Sequence, residues 1–170
     1  ESPDPGAQAY LTWRDTIVLP PPASELDPGT DVVTGMDTYL TIGDYQPDWD
    51  ADSDPRTVTY EGPIRIVATA EHQVDWGDGT TTPTDGTWHQ TNGRAWTEDG
   101  SHDDPDAITH VYQDATEGDS TYTITVTTRW TARWETLDGS AGGVVPFFRY
   151  SESTVDLDVD EVQSVVIEQS

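Results

Sequence analysis

Over residues 122–134 the chain alternates without a break. Tyr122, Ile124, Val126, Thr128, Trp130, Ala132 and Trp134 fall in one register, and Thr123, Thr125, Thr127, Arg129, Thr131 and Arg133 in the other. A strict period of two, rich in β-branched and aromatic residues, predicts a strand with one face in a core and the other toward water or a partner. At about 3.3 Å per residue it spans roughly 40 Å, long for a globular strand. Shorter alternating runs predict strands over Asp37–Ile42 and over 56–60, 64–70, 72–76, 108–112 and 154–167. In the last of these Val155, Leu157 and Val159 point inward while Asp156, Asp158 and Asp160 point outward. No segment keeps a helical period. Short strands separated by turn chemistry predict an all-β sandwich.

The N-terminal part reads as an appendage. Over residues 10–19, Leu11, Trp13, Ile17 and Leu19 alternate, interrupted by Asp15, and predict an extended N-terminal strand. Pro20-Pro21-Pro22 cannot continue a ladder and reads as a stiff polyproline spacer. The division expected is an extension, 1–34, and a sandwich, 35–170, with a long insertion over 80–106 that carries Trp88 and Trp96. Insertions of that length usually have a function or move. The spacer leaves two readings for the strand: donation to the sheet of a neighbouring copy, or folding back as the first strand of its own domain. Residues 144–150, Val-Val-Pro-Phe-Phe-Arg-Tyr, are the most apolar stretch and suit an interface. The interface candidates are therefore Leu11, Trp13, Ile17, Leu19, Val144, Val145, Phe147 and Phe148.

Charge narrows the partners. Asp and Glu number 33 against 7 basic residues, all arginine, for a net charge of −26. Such a surface repels nucleic acid and anionic membranes, and no apolar run is long enough for membrane insertion. Asp48, Asp50 and Asp52 alternate like the opening of a calcium loop, but Ser53 and Thr59 stand where its glycine and glutamate belong. Ca²⁺ is the one cofactor this pattern leaves open. Asp99, Asp103, Asp104 and Asp106 form a second acidic group without a recognised spacing. His72, His89, His102 and His110 lack metal-ligand spacing, and no nucleophile elbow occurs. The chain is expected not to be an enzyme. Arg129 and Arg133, on the outer register of the long strand, are expected to face Asp156, Asp158 and Asp160.

Three blocks carry a resemblance. Val74-Asp75-Trp76-Gly77-Asp78-Gly79-Thr80, then Thr109-His110-Val111-Tyr112, then Tyr122-Thr123-Ile124-Thr125-Val126 resemble, in this order, the turn and two strands of the PKD (polycystic kidney disease) domain. Val74 stands where that family commonly has Trp, Trp76 where it has Phe, and the segment between turn and His-x-Tyr is longer. The segment from Trp130-Thr131-Ala132-Arg133-Trp134 through the Gly-rich link to Glu161-Val162-Gln163 resembles PKD-like domains of actinobacterial surface proteins. The resemblance implies an Ig-like, non-catalytic module found outside cells, in surface layers, adhesins and secreted hydrolases. In the turn Asp75, Trp76, Gly77, Asp78 and Gly79 are expected to act structurally: the glycines supply positive φ and the aspartates accept backbone N–H groups. His110 is expected to be a packed, hydrogen-bonded residue.

The expected function is an extracellular structural or adhesion protein at the cell surface. In that reading it is a filament or layer subunit that associates with itself or with other surface proteins by N-terminal strand donation. The alternative is an accessory carbohydrate- or protein-binding module of a secreted hydrolase, with Trp49, Trp88 and Trp96 stacking on sugar rings.

At −26 the folded chain repels itself, so its melting temperature should rise with NaCl as the Debye length falls from about 30 Å at 0.01 M to about 3 Å at 1 M. Calorimetry across a NaCl titration checks this. A flat or falling melting temperature contradicts it, and a rise with calcium alone points to Asp48, Asp50 and Asp52 instead.

Overall fold

The computed structural model describes residues 4–43, 56–98 and 104–161. Among them lie one helix, α1 (Pro5–Asp15), and ten strands: β1 (Ser24–Asp27), β2 (Asp31–Val33), β3 (Asp37–Ile42), β4 (Thr57–Tyr60), β5 (Ile64–Asp75), β6 (Thr81–Thr82), β7 (Ile108–Val111), β8 (Tyr122–Thr136), β9 (Gly142–Val144) and β10 (Arg149–Asp160). They form two sheets, a three-stranded one ordered β1-β3-β7 and a larger one ordered β2-β10-β8-β5-β4, with β6 on β5 and β9 on β8. All pairs are antiparallel except β2 with β10.

The long ladder is β5 against β8, running from Ile64↔Thr136 to Asp75↔Thr125. Its inward register is buried over nearly its whole length: Ile64, Ile66, Ala68, Ala70, His72 and Val74 on β5, and Ile124, Val126, Thr128, Trp130 and Ala132 on β8. One small sheet cannot cover it. At about 3.4 Å per residue the six residues of β3 span about 20 Å, half the length of the twelve-residue β5. The three-stranded sheet covers one half, where Leu40, Ile42, Val74, Trp76, Ile108, Tyr112, Ile124, Val126, Leu157 and Val159 form a core. The other half is covered by α1, where Ala9, Trp13 and Ile17 pack on Ile64, Ile66, Ala68, Ala70, Trp130, Ala132 and Val145.

The expected N-terminal strand over residues 10–19 is thus corrected to a helix. Asp4 caps it, its carboxylate accepting the Ala7 N–H at 3.1 Å, and Pro5 opens the first turn, where its missing N–H costs nothing. Ala9, Trp13 and Ile17 are four residues apart, so they line one face of the helix and its continuation. At the other end Arg149 donates to the carbonyls of Trp13 at 2.6 Å and Ile17 at 2.7 Å, with its guanidinium 5.1 Å from the Trp13 ring centroid. A cation at a helix C-terminus satisfies carbonyls that have no partner within the helix. Trp13 and Ile17 are buried in the chain's own core and Leu19 packs at its edge, so this segment has no strand to donate. Leu11 alone of the four is exposed.

The expected extension, 1–34, also holds two strands of the sandwich: β1, paired with β3 from Ser24↔Ile42, and β2, paired with β10. The two strands expected over 64–70 and 72–76 are one uninterrupted β5, and β10 starts at Arg149, earlier than expected. That start sets a different register for the outer face. Tyr150 lies opposite Arg129, and Asp156 lies opposite Thr123, whose hydroxyl it accepts at 2.9 Å. Arg129 therefore pairs with Glu71 on β5, not with Asp156, Asp158 or Asp160.

Two substitutions test this architecture by urea denaturation. Ile124→Ala, in the sheet-covered half, should cost about 2–5 kcal/mol. Arg149→Ala should cost about 1–3 kcal/mol by leaving the Trp13 and Ile17 carbonyls unsatisfied. An unchanged midpoint in the Arg149 variant would show that α1 does not depend on it.

Candidate functional site

Beyond Asp75, β5 leaves its ladder and reverses. Asp75 accepts the Gly77 N–H at 2.9 Å and Asp78 accepts the Thr80 N–H at 3.0 Å. Gly77 sits at φ +83°, and a Cβ there would lie 2.6 Å from the Thr123 carbonyl oxygen, so no other residue fits against β8. The Trp76 side chain turns into the core and its indole N–H donates to the Thr82 hydroxyl at 2.9 Å. His110 stacks on Trp76 with centroids 4.9 Å apart, and its Nε2 meets Asp78 Oδ2 at 2.7 Å. Tyr112 donates to the Trp76 carbonyl at 2.8 Å and stacks on Tyr122. Burial alone would raise the Asp78 carboxyl, but the bonds from His110 and the Thr80 amide outweigh it and hold Asp78 below the ordinary carboxylate range. The structure thus brings all five turn residues together with His110, Tyr112 and Tyr122 into one knot tying β5, β7 and β8. Among the described residues no hydroxyl is hydrogen-bonded to His110.

A second buried polar group sits where the two halves of the core meet. His72 and Thr128 are cross-strand partners on the inward register, both fully buried. His72 Nδ1 lies 2.9 Å from the Thr128 hydroxyl and Nε2 lies 2.8 Å from Asn92 Oδ1. Asn92 comes from the long insertion, and its carbonyl accepts the Ile42 N–H at 2.7 Å. Gly93 follows at φ +75°, bridging Thr41 so closely that a Cβ would overlap the Leu40 carbonyl oxygen. His89 exchanges two backbone bonds with His72, at 3.0 and 2.7 Å. The described part of the insertion is thereby stitched to both sheets. Burial pushes His72 down to about 4, against an upward pull from the Asn92 bond. The roles of His72 and Asn92 were not read from sequence. The available signal was a histidine and a threonine, each interrupting an otherwise apolar register.

The third feature is on the outer face of the large sheet. Arg129 is held by Glu71 at 2.5 Å, and its guanidinium lies 4.6 Å from the ring centroids of both Trp88 and Phe148. Tyr150 is directly opposite in the ladder, 6.2 Å from Trp88 between centroids. Of the interface candidates in 144–148, Val145 is buried, Phe147 packs on the helix-covered core, and Val144 and Phe148 are exposed. Trp88 and Trp96 do not share a platform: the Trp96 backbone N–H donates to Asp27 on β1, in the small sheet. Trp49 lies outside the described residues, as do Asp48, Asp50 and Asp52 and, in the second acidic group, Asp99 and Asp103. Asp104 pairs with Arg94 at 3.0 Å, and among the described residues no three His, Cys, Asp or Glu side chains are grouped to hold a metal ion.

Because the folded state lowers the His72 pKa from 6.5 to about 4, the unfolded chain binds the extra proton between those values. The contribution is complete above pH 6.5 and falls by up to about 1.4 kcal/mol per unit as the pH drops to about 4. Urea denaturation from pH 7 to pH 4 should show His72→Gln losing less stability across that window than the unaltered chain. Equal losses would show that His72 does not set this dependence.

Comparison with protein-family models, with curated proteins and with solved structures finds no match to this chain, so its functional reading rests on the geometry above.

Proposed function

We propose that the chain is a non-catalytic, Ig-like binding module of the PKD kind, part of an extracellular or cell-surface protein. The knot around Trp76 and His110 supports the fold part of this reading, because the residues of all three resembling blocks converge on one turn with structural roles. The observation that carries the binding role is the Arg129 cluster. It places Trp88, Phe148 and Tyr150 on the outer face of a long, rigid ladder, where exposed aromatic and arginine side chains are typical anchors for a partner. A filament or layer subunit is the second reading, and it has lost its connector, since residues 10–19 cover the chain's own core.

Sedimentation velocity at low and high salt separates the two. A module remains a monomer at both, whereas a subunit assembles once salt screens its −26 charge. Salt-dependent filaments or large oligomers would overturn the module reading.

A further inference from the structure

The Arg129 cluster has an architecture that selects a ligand class. Its rings come from separate parts of the chain. Trp88 belongs to the insertion and is fixed by the backbone pairing of its neighbour His89 with His72. Phe148 precedes β10, and Tyr150 lies within it. Phe148 is 50% and Tyr150 59% exposed, large values for rings held in place by a sheet and a guanidinium. Rings held this way lose little further freedom when a ligand stacks on them.

The surroundings are polar, with few charges. Within two positions of the cluster along β5, β8 and β10, the outward register carries one arginine, Arg129, and two glutamates, Glu71 and Glu152, with Thr69, Gln73, Thr127 and Thr131 between them. Elsewhere on this sheet the outward register of β10 carries Asp156, Asp158 and Asp160. With no excess of cations here and a net charge of −26 overall, the patch offers no attraction to an anionic ligand, whereas an uncharged one is not repelled. Among the described residues the Arg129 guanidinium donates a single hydrogen bond, to Glu71. Its terminal nitrogens therefore keep N–H donors for a ligand, and the Tyr150 hydroxyl adds a donor and an acceptor.

We propose that this patch binds a neutral polysaccharide, whose pyranose rings stack their C–H faces on Phe148 and Tyr150 while their hydroxyls bond Arg129 and Glu71. This rests on the module reading above and names its ligand class. The size of the patch favours a sugar over a protein. Phe148 and Tyr150, each about half exposed, and the less exposed Trp88 offer at most a few hundred Å², given about 150–250 Å² per aromatic side chain. A stable protein interface needs about 800 Å² on each partner. An acidic polymer is disfavoured by the charge of the whole chain.

Co-sedimentation with insoluble cellulose, chitin and xylan tests the proposal, with pectate as the acidic control. The probes are Phe148→Ala and Tyr150→Ala, at exposed positions where melting should not change. Trp88 is left intact because it also pins the insertion. The expected result is retention on at least one neutral polymer, weakened roughly tenfold by each substitution at unchanged melting temperature. Three outcomes overturn it: no retention on any neutral polymer, retention that both variants keep, or equal retention on pectate. Loss of the glycan with the chain still monomeric leaves the module reading in place, whereas the sedimentation result above decides that reading alone.

Discussion

Everything in this molecule answers to the length of one ladder. β5 and β8 pair over twelve residues, and a single face of that pair is apolar along almost its whole length. A face roughly 40 Å long needs a cover of equal length, because each buried aliphatic or aromatic side chain left in water forfeits about 1.5–3 kcal/mol. The small sheet reaches only half way, and α1 closes the remainder. The helix is therefore part of the core. The two covers meet at His72, Thr128 and Asn92, whose hydrogen bonds satisfy buried polar groups and bind the insertion into the structure.

The scarcity of cations gives each arginine weight. Arg149 holds the end of the helix, Arg129 the outer cluster, Arg94 the base of the insertion through Asp104, and Arg65 joins Glu61 to Glu135 across the sheet. Arg65 is well exposed, and its pairs contribute little to stability. Arg129 and Arg149 differ because each also packs against aromatic rings, which removes water from one side of the charge. Asp75, Asp78 and Asp104 accept backbone N–H groups two residues on. Asp138, exposed in its turn, accepts from the Ser140 hydroxyl and amide and the Thr136 hydroxyl, and these bonds lower its pKa to about 2.

Much of the large sheet was legible. The inward register of β8, the outward aspartates of β10 and the roles of Asp75, Gly77 and Asp78 all follow from period and turn chemistry, which act between residues close in sequence. The candidate site was legible only in fragments. Trp88 and Phe148 each stood out as aromatic, but Arg129 brings them together from positions 41 and 19 residues away, and no local rule gives that distance. The acids expected opposite Arg129 were displaced because β10 begins at Arg149, which moves its register against β8.

The sequence by itself determined that strands dominate, which face of the long strand is buried, and how the turn after β5 closes. Alternation and glycine conformation decide these before any distant contact forms. Only the tertiary structure decided the fate of residues 10–19. Leu11, Trp13, Ile17 and Leu19 fit a period of two, while Ala9, Trp13 and Ile17 fit a period of four, and the segment alone does not choose between them. The choice falls to a vacant half of the β5–β8 face and to Arg149, more than a hundred residues away, whose guanidinium binds the carbonyls of Trp13 in the helix's last turn and of Ile17 just beyond it. A short helix is marginal in water and forms where packing and capping supply what propensity lacks, so its existence depends on the finished sheet.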